Sequence, residues 1–156
     1  MTTDPTGFDD VRDLYQDIIL RHSRQPLHMR RLEKFDARAV GDNPMCGDRC
    51  EVRLRLEPDD TVADIGYEAR GCAISLASAD LMAETTTGRT RAQVRTLAED
   101  FFALVRTGAS ESDDPALEQL KPLSGVAEYP SRIKCATLPW TAALAALNGV
   151  QEASSE

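Results

Sequence analysis

Apolar residues recur at helical spacing early in the chain. In FDDVRDLYQDIILRHSR, residues 8–24, Phe8, Val11, Leu14, Tyr15, Ile18 and Ile19 fall on one face. Acidic residues near the start and basic ones near the end suit the helix dipole. Pro26 stops the helix, and the polar stretch 1–7 before it is expected to be disordered. Residues 27–45 have weak periodicity and several charges, a connector with a short strand around Phe35–Val40. From Cys50 the period becomes two. Cys50, Val52, Leu54 and Leu56 alternate with Glu51, Arg53 and Arg55. After a turn at Pro58-Asp59-Asp60, Ala63, Ile65, Tyr67 and Ala69 alternate with Val62, Asp64, Gly66 and Glu68. A short turn between two such runs predicts an antiparallel hairpin.

Beyond Gly71-Cys72 the spacing is helical again. AISLASADLMAETTTG offers Ile74, Leu81 and Met82 to a core and closes at Gly88. Thr90-Arg91-Ala92-Gln93 has the form of a capping box, and the helix after it carries Val94, Leu97, Phe101, Leu104 and Val105 on one face. GASESDDP, residues 108–115, is an acidic, solvated loop, and a short helix follows around Leu117–Lys121. The last element runs from about Ser131 to Leu147, with Pro139 either kinking it or lying in its first turn. Helix, strands, then helices predict an α+β fold. One domain is expected over residues 8–148, with a disordered tail over 149–156.

Composition narrows the class of function. At 156 residues, 42% apolar and 28% charged, the chain is long enough to bury a core without staples. Its net charge of −8 argues against nucleic acid or an anionic membrane as partner. No basic-then-apolar leader is present and no apolar run reaches a membrane span, so a cytoplasmic protein is expected. In a reducing compartment four cysteines point to metal or thiol chemistry rather than disulfides, although any one of them also suits a core as a small hydrophobe. Cys46 and Asp48 precede the first core strand, Cys72 sits at a strand-to-helix turn, and Cys135 is expected to start the final helix. Element boundaries are where a scaffold converges side chains from distant segments. Three thiolates and a carboxylate are a donor set that zinc accepts, and a carboxylate exchanges more easily than a thiolate. Spacing alone leaves two of the cysteines free to be core residues, and Asp48 free to be a turn residue. Arg132 and Lys134 flank Cys135 and would offset negative charge there, or be surface charges. His22 is expected to cap the first helix or meet its dipole, and His28 to be solvated.

Four stretches together carry more than any spacing rule. LYQDIILRHSRQP, NPMCGDRC, GCAISLASADLM and YPSRIKCATLPW, in this order, resemble the U-type iron–sulfur cluster assembly proteins, specifically the SufU branch. The resemblance spans roughly residues 8–147. Lys134 stands where the scaffold-type branch, IscU, has a histidine before the last cysteine, and the acidic segment from Gly108 to about Leu123 resembles an insertion of the SufU branch. After Pro26 the chain reads LHMRRL, where the family usually has an Asn- and Gly-containing stretch. Cys50 falls where the family has an aliphatic residue.

The resemblance implies a small antiparallel sheet of about three strands with helices packed against it. It implies one zinc ion bound by Cys46, Asp48, Cys72 and Cys135. It implies a zinc-dependent sulfurtransferase, working with and stimulating a SufS-type, pyridoxal-phosphate-dependent cysteine desulfurase. A histidine of the desulfurase would take over one zinc position, and the freed Cys46 would accept the persulfide sulfur and pass it on to an iron–sulfur assembly scaffold. Arg132 would help position the thiolate or the partner. The rival is a scaffold on which a [2Fe–2S] cluster is built on the same ligands. A third possibility is a structural zinc domain that only binds partners.

Overall fold

The computed structural model describes residues 8–154, with side chains over 14–152. The stretch expected to be disordered at the start, 1–7, lies outside the described residues. Helix α1 spans Phe8–Arg24, and three strands follow: β1 Ala37–Asn43, β2 Asp48–Leu56 and β3 Val62–Arg70. Helices α2 (Ala73–Thr86), α3 (Arg91–Thr107) and α4 (Ala116–Leu120) come next, then a 3₁₀ helix over Lys121–Glu128 and helix α5 over Pro130–Leu147. A short strand β4, Glu152–Ser154, closes the sequence of elements.

The sheet order is β3-β2-β1-β4, with β1, β2 and β3 antiparallel and β4 parallel to β1. This is the predicted α+β architecture of three antiparallel strands under helices, with one addition. The segment expected as a tail from 149 onward turns back at the end of α5, where Val150 N–H donates to the Ala145 carbonyl (2.8 Å). Val40 N–H then donates to the Gln151 carbonyl (2.9 Å), so the free edge of β1 is paired rather than left open.

Alternation decides which face of the sheet is covered. Ala39, Cys50, Val52, Leu54, Ile65 and Tyr67 are buried, whereas Arg38, Glu51 and Arg53 form an ion-paired cluster on the other face. α5 lies over β1 and β2, α2 over β3, and α3 packs behind α5, where Phe101 stacks on Trp140 with centroids 4.8 Å apart. The alternation predicted for β3 breaks at its first residues. A bulge opposite Arg55 and Leu56 brings Val62 into the core (1% exposed) in place of Ala63.

The helices follow their signals with two differences, in what α1 buries and in where α5 begins, and the structure decides between the two places open to Pro139. The Thr90–Gln93 capping box forms in both directions, and the five apolar positions predicted for α3 are buried. Among the described residues α1 packs chiefly on α2 and the 3₁₀ helix, at the rim of the helical layer. Leu14, expected on its core face, is therefore exposed, and Tyr15, Ile18 and Ile19 are only half covered. Pro139 sits in the interior of α5, not in its first turn, and its missing N–H leaves the Cys135 carbonyl without a helical donor. Cys135 does not start that helix. It lies in the second turn, because the helix already begins at Pro130.

Candidate metal centre

The β1–β2 turn presents the first two site residues. Asn43 carbonyl accepts from the N–H of Cys46 (3.2 Å) and of Gly47 (2.9 Å), which folds Pro44–Gly47 into a tight turn. Gly47 takes φ 72°, a left-handed conformation that costs glycine nothing. Cys46 is thereby exposed at the tip, and Asp48, the first residue of β2, points inward and is 1% exposed.

The end of β3 supplies the groups that hold that carboxylate. Cys72 N–H donates to Asp48 Oδ1 (3.1 Å), and Cys72 Sγ lies 3.8 Å from Asp48 Oδ2. Cys72 is the N-cap of α2, its Sγ accepting from Ser75 N–H (3.5 Å). Gly71, at φ 147°, is the residue that lets the carboxylate in. A Cβ there would collide with Asp48 Oδ1 and crowd its Cγ and Cα.

α5 completes the group. Cys135, fully buried, brings its Sγ to 3.9 Å from Cys46 Sγ and 3.8 Å from the Ser131 carbonyl. One donor atom each from Cys46, Asp48 and Cys135 lies within 4.8 Å of the others; Cys72 joins through Asp48. Burial raises the Cys135 thiol pKa most, and the Asp48 carboxylate and Cys72 raise it further. The Arg132 guanidinium is pushed above its ordinary value by the Cys72 and Cys135 sulfurs beside it, which sets it at the edge of the centre. Lys134 is exposed and makes no ion pair among the described residues. Cys50 is apart: it is fully buried between Gly41 and Ala69, with its thiol pushed up to about 12, chiefly by burial.

This donor set fits a tetrahedral cation such as zinc. Two sulfurs at the ordinary zinc–thiolate distance of about 2.3 Å lie about 3.8 Å apart in a tetrahedron, and Cys46 and Cys135 already stand at 3.9 Å. Deprotonating three thiols beside a buried carboxylate places like charges together, which a divalent cation offsets and a single rim arginine does not.

Two buried polar residues near these elements went unremarked in the sequence. Asp80 is fully buried in α2, and accepts from His22 Nδ1 (2.7 Å), Tyr67 hydroxyl (3.0 Å), His28 N–H (2.8 Å) and Leu27 N–H (3.2 Å). His22 is thus a buried partner of a carboxylate rather than a helix cap. His28 is half-buried rather than solvated, with its ring 3.7 Å from Glu84. The only signal for Asp80 was a charge set directly among the apolar residues Ala79, Leu81 and Met82 of α2. Asn43, fully buried, has no partner for either carboxamide atom among the described residues.

A small α+β fold that gathers three cysteines and an aspartate at one end of its sheet defines a class of domains whose donor set could hold a metal ion. The chain belongs to the family of the NifU-like N-terminal domain, that of the iron–sulfur cluster assembly proteins IscU and SufU, whose profile matches residues 14–136. It is 35% identical over 130 residues to the zinc-dependent sulfurtransferase SufU of Bacillus subtilis (strain 168), covering 83% of this chain and 86% of that one. It is 33% identical over 132 residues to the iron–sulfur cluster assembly scaffold protein IscU of Streptococcus pyogenes serotype M1, covering 85% and 81%. Among solved structures, a protein named as a SUF-system iron–sulfur cluster assembly scaffold, from Fervidobacterium islandicum AW-1, superposes with TM-score 0.78 at 28% identity, over 87% of this chain and 98% of that one.

Proposed function

We propose that this chain is a zinc-dependent sulfurtransferase, accepting sulfane sulfur on Cys46 from the persulfide of a SufS-type cysteine desulfurase and passing it on for iron–sulfur cluster assembly. The observation that carries it is the asymmetry of the donor set: Cys46 is exposed, while Asp48 and Cys135 are buried and Cys72 is half-buried. One sulfur can leave such a set and three donors remain. Cys46, Asp48, Cys72 and Cys135 would hold the zinc, which supplies thiolates already formed at neutral pH. The Cys46 thiolate attacks the outer sulfur of the donor persulfide; a new sulfur–sulfur bond forms on Cys46, the donor's own breaks, and the desulfurase cysteine leaves as thiolate. No net oxidation occurs. Asp48 stays in place, fixed by Cys72 N–H. Arg132 places positive charge beside the sulfurs and orients the incoming persulfide.

The test is desulfurase turnover of cysteine with and without the chain. Wild type is expected to raise turnover, and Cys46→Ala to abolish that rise while retaining part of the zinc. Full stimulation by Cys46→Ala overturns the mechanism. The scaffold reading is favoured by the relative of nearly equal identity that is named a scaffold, whereas Lys134 before Cys135 supports transfer. A colourless protein with about one zinc per chain supports transfer; a brown one with iron and acid-labile sulfide supports the scaffold.

A further inference from the structure

The outer face of the sheet, away from the helices, carries a charge pattern that its own ion pairs do not resolve. Arg49 and Arg70 are direct cross-strand partners on β2 and β3, and both are exposed. Like charges set opposite one another, about 5 Å apart, weaken a strand pairing. The carboxylates next to them in the ladder are engaged elsewhere: Glu51 pairs with Arg38 and Arg53, and Glu68 with Arg31. Asp42 stands opposite Arg49 on β1. Among the described residues neither it nor either arginine makes an ion pair. In a chain of net charge −8, two guanidiniums are left side by side with no carboxylate bound to either.

Their position ties them to the residue that would take up sulfur. Arg49 follows Asp48, and Arg70 is two residues before Cys72. Alternation turns both away from the centre, since Asp48 and Cys50 are buried on the inner face; Arg132, by contrast, lies beside the sulfurs. Cys46 is exposed three residues ahead of Arg49, at most about 11 Å along the chain. A protein that brings a persulfide to Cys46 covers about 800 Å² of this chain, a disc of roughly 16 Å radius. Arg49 and Arg70 fall inside a disc of that size centred on Cys46. Once covered, a guanidinium without a counter-ion loses its hydration and gains nothing in return. The covering surface therefore has to bring carboxylates. A free anion is served less well, because the groove between the two arginines, about 280 Å³, has Glu51 and Glu68 in its wall.

We propose that Arg49 and Arg70 form a docking fork for carboxylates on the surface of the sulfur-donor protein, holding that surface over Cys46. This rests on the transfer reading above. Two adjacent guanidiniums present planar sets of N–H donors that carboxylates accept in pairs. Opposite charge across an interface speeds encounter and fixes register, and its effect weakens as salt rises. The repulsion between the arginines in the free chain is relieved when the donor seats, so the pair favours the bound state over the free one.

The experiment uses the full chain with a SufS-type cysteine desulfurase. Cysteine turnover is read against chain concentration at low and high salt, with zinc content and melting temperature alongside. The variants are Arg70→Glu, which sets an opposite charge across from Arg49, and Arg70→Lys, which keeps the charge. Arg70→Glu raises the half-saturating concentration of the chain roughly 10- to 100-fold. Turnover at saturation stays within about twofold of wild type, the mark of lost binding alone. Zinc content is unaltered and the variant melts at or above wild type, since the like-charge pair is gone. Salt raises the half-saturating concentration of wild type and changes that of Arg70→Glu little, while Arg70→Lys follows wild type. A wild-type half-saturating concentration and salt response in Arg70→Glu overturn the proposal. So does a fall in saturated turnover or zinc content with half-saturation unmoved, because Arg70 then serves the centre itself. Phosphate binding by wild type that Arg70→Glu loses, again with half-saturation unmoved, assigns the fork to a free anion and overturns it equally. Should Arg70→Glu not fold, Arg49→Glu decides by the same criteria. A wild-type chain that raises no turnover overturns the transfer reading, and this inference with it.

Discussion

At the scale of single residues, neighbours in the sequence divide sharply in role. Cys46 and Cys50 lie on one short segment, yet one is exposed at a turn and the other fully buried in the sheet core. That division was legible from the alternation beginning at Cys50. With its thiol pushed up to about 12, Cys50 stays protonated at neutral pH and is a poor nucleophile. Cys50→Val is therefore expected to change stability by less than about 1.5 kcal/mol and to leave zinc content unaltered, checked by urea unfolding and metal analysis. Gly71 is the opposite case, because its importance depends on Asp48, which is distant in sequence. At φ 147° and with Asp48 Oδ1 in the space a Cβ would take, Gly71→Ala strains the backbone and expels the carboxylate. The expected cost is about 2 kcal/mol or more, with zinc affinity reduced in the same variant. A Gly71→Ala chain with wild-type denaturation midpoint and metal content would show that Asp48 is not held as described.

At the scale of elements, period and capping predicted the helices and strands well, and the differences arise where tertiary context intervenes. The bulge that exchanges Ala63 for Val62 and the exposure of Leu14 at the rim both depend on what packs alongside. Two polar contacts that tie elements together, at Asp80 and at Asp114, were likewise hidden, since each joins segments far apart in the chain. Asp80 holds α1 through His22, and holds the connector through the N–H groups of Leu27 and His28. Asp80→Ala leaves those donors and the Tyr67 hydroxyl without a buried partner, at a cost of about 3–5 kcal/mol. Hydrogen exchange should show protection lost first at Leu27 and His28. The acidic loop is not uniformly solvated either: Asp114 accepts both guanidinium N–H groups of Arg89 at 2.7 Å. That hydrogen bonding, ahead of the opposing burial, holds the Asp114 carboxyl below the usual carboxylate range. Its contribution is therefore present above the unfolded-state pKa and lost as pH falls through the lower folded-state one. Asp114→Asn is expected to cost about 1–2 kcal/mol at pH 7, with the gap in urea midpoint closing as pH drops below about 4.

At the scale of the molecule, the fold's contribution is convergence. The β1–β2 turn, the end of β3 and the second turn of α5 meet at one end of the sheet, bringing Cys46, Asp48, Cys72 and Cys135 together. The motifs named these residues. What they left open was the distribution of exposure, because burial depends on how α5 lies across β1. No described helix is long and apolar enough to cross a membrane. A centre assembled from three separate segments exists only in the folded chain, so a metal bound there stabilises the fold by mass action. With zinc at about a hundred times its dissociation constant, the gain is about 2.7 kcal/mol. For a domain of roughly 150 residues that raises the melting temperature by roughly 5–10 °C. Chelator treatment of the zinc-loaded chain should lower the melting temperature by that amount, and re-addition of zinc should restore it. Asp48→Ala should narrow the difference between loaded and stripped chain, because a buried donor is missing, while Cys50→Val should keep it whole. A melting temperature indifferent to chelator in the zinc-loaded wild type would mean that the four residues meet without binding the ion.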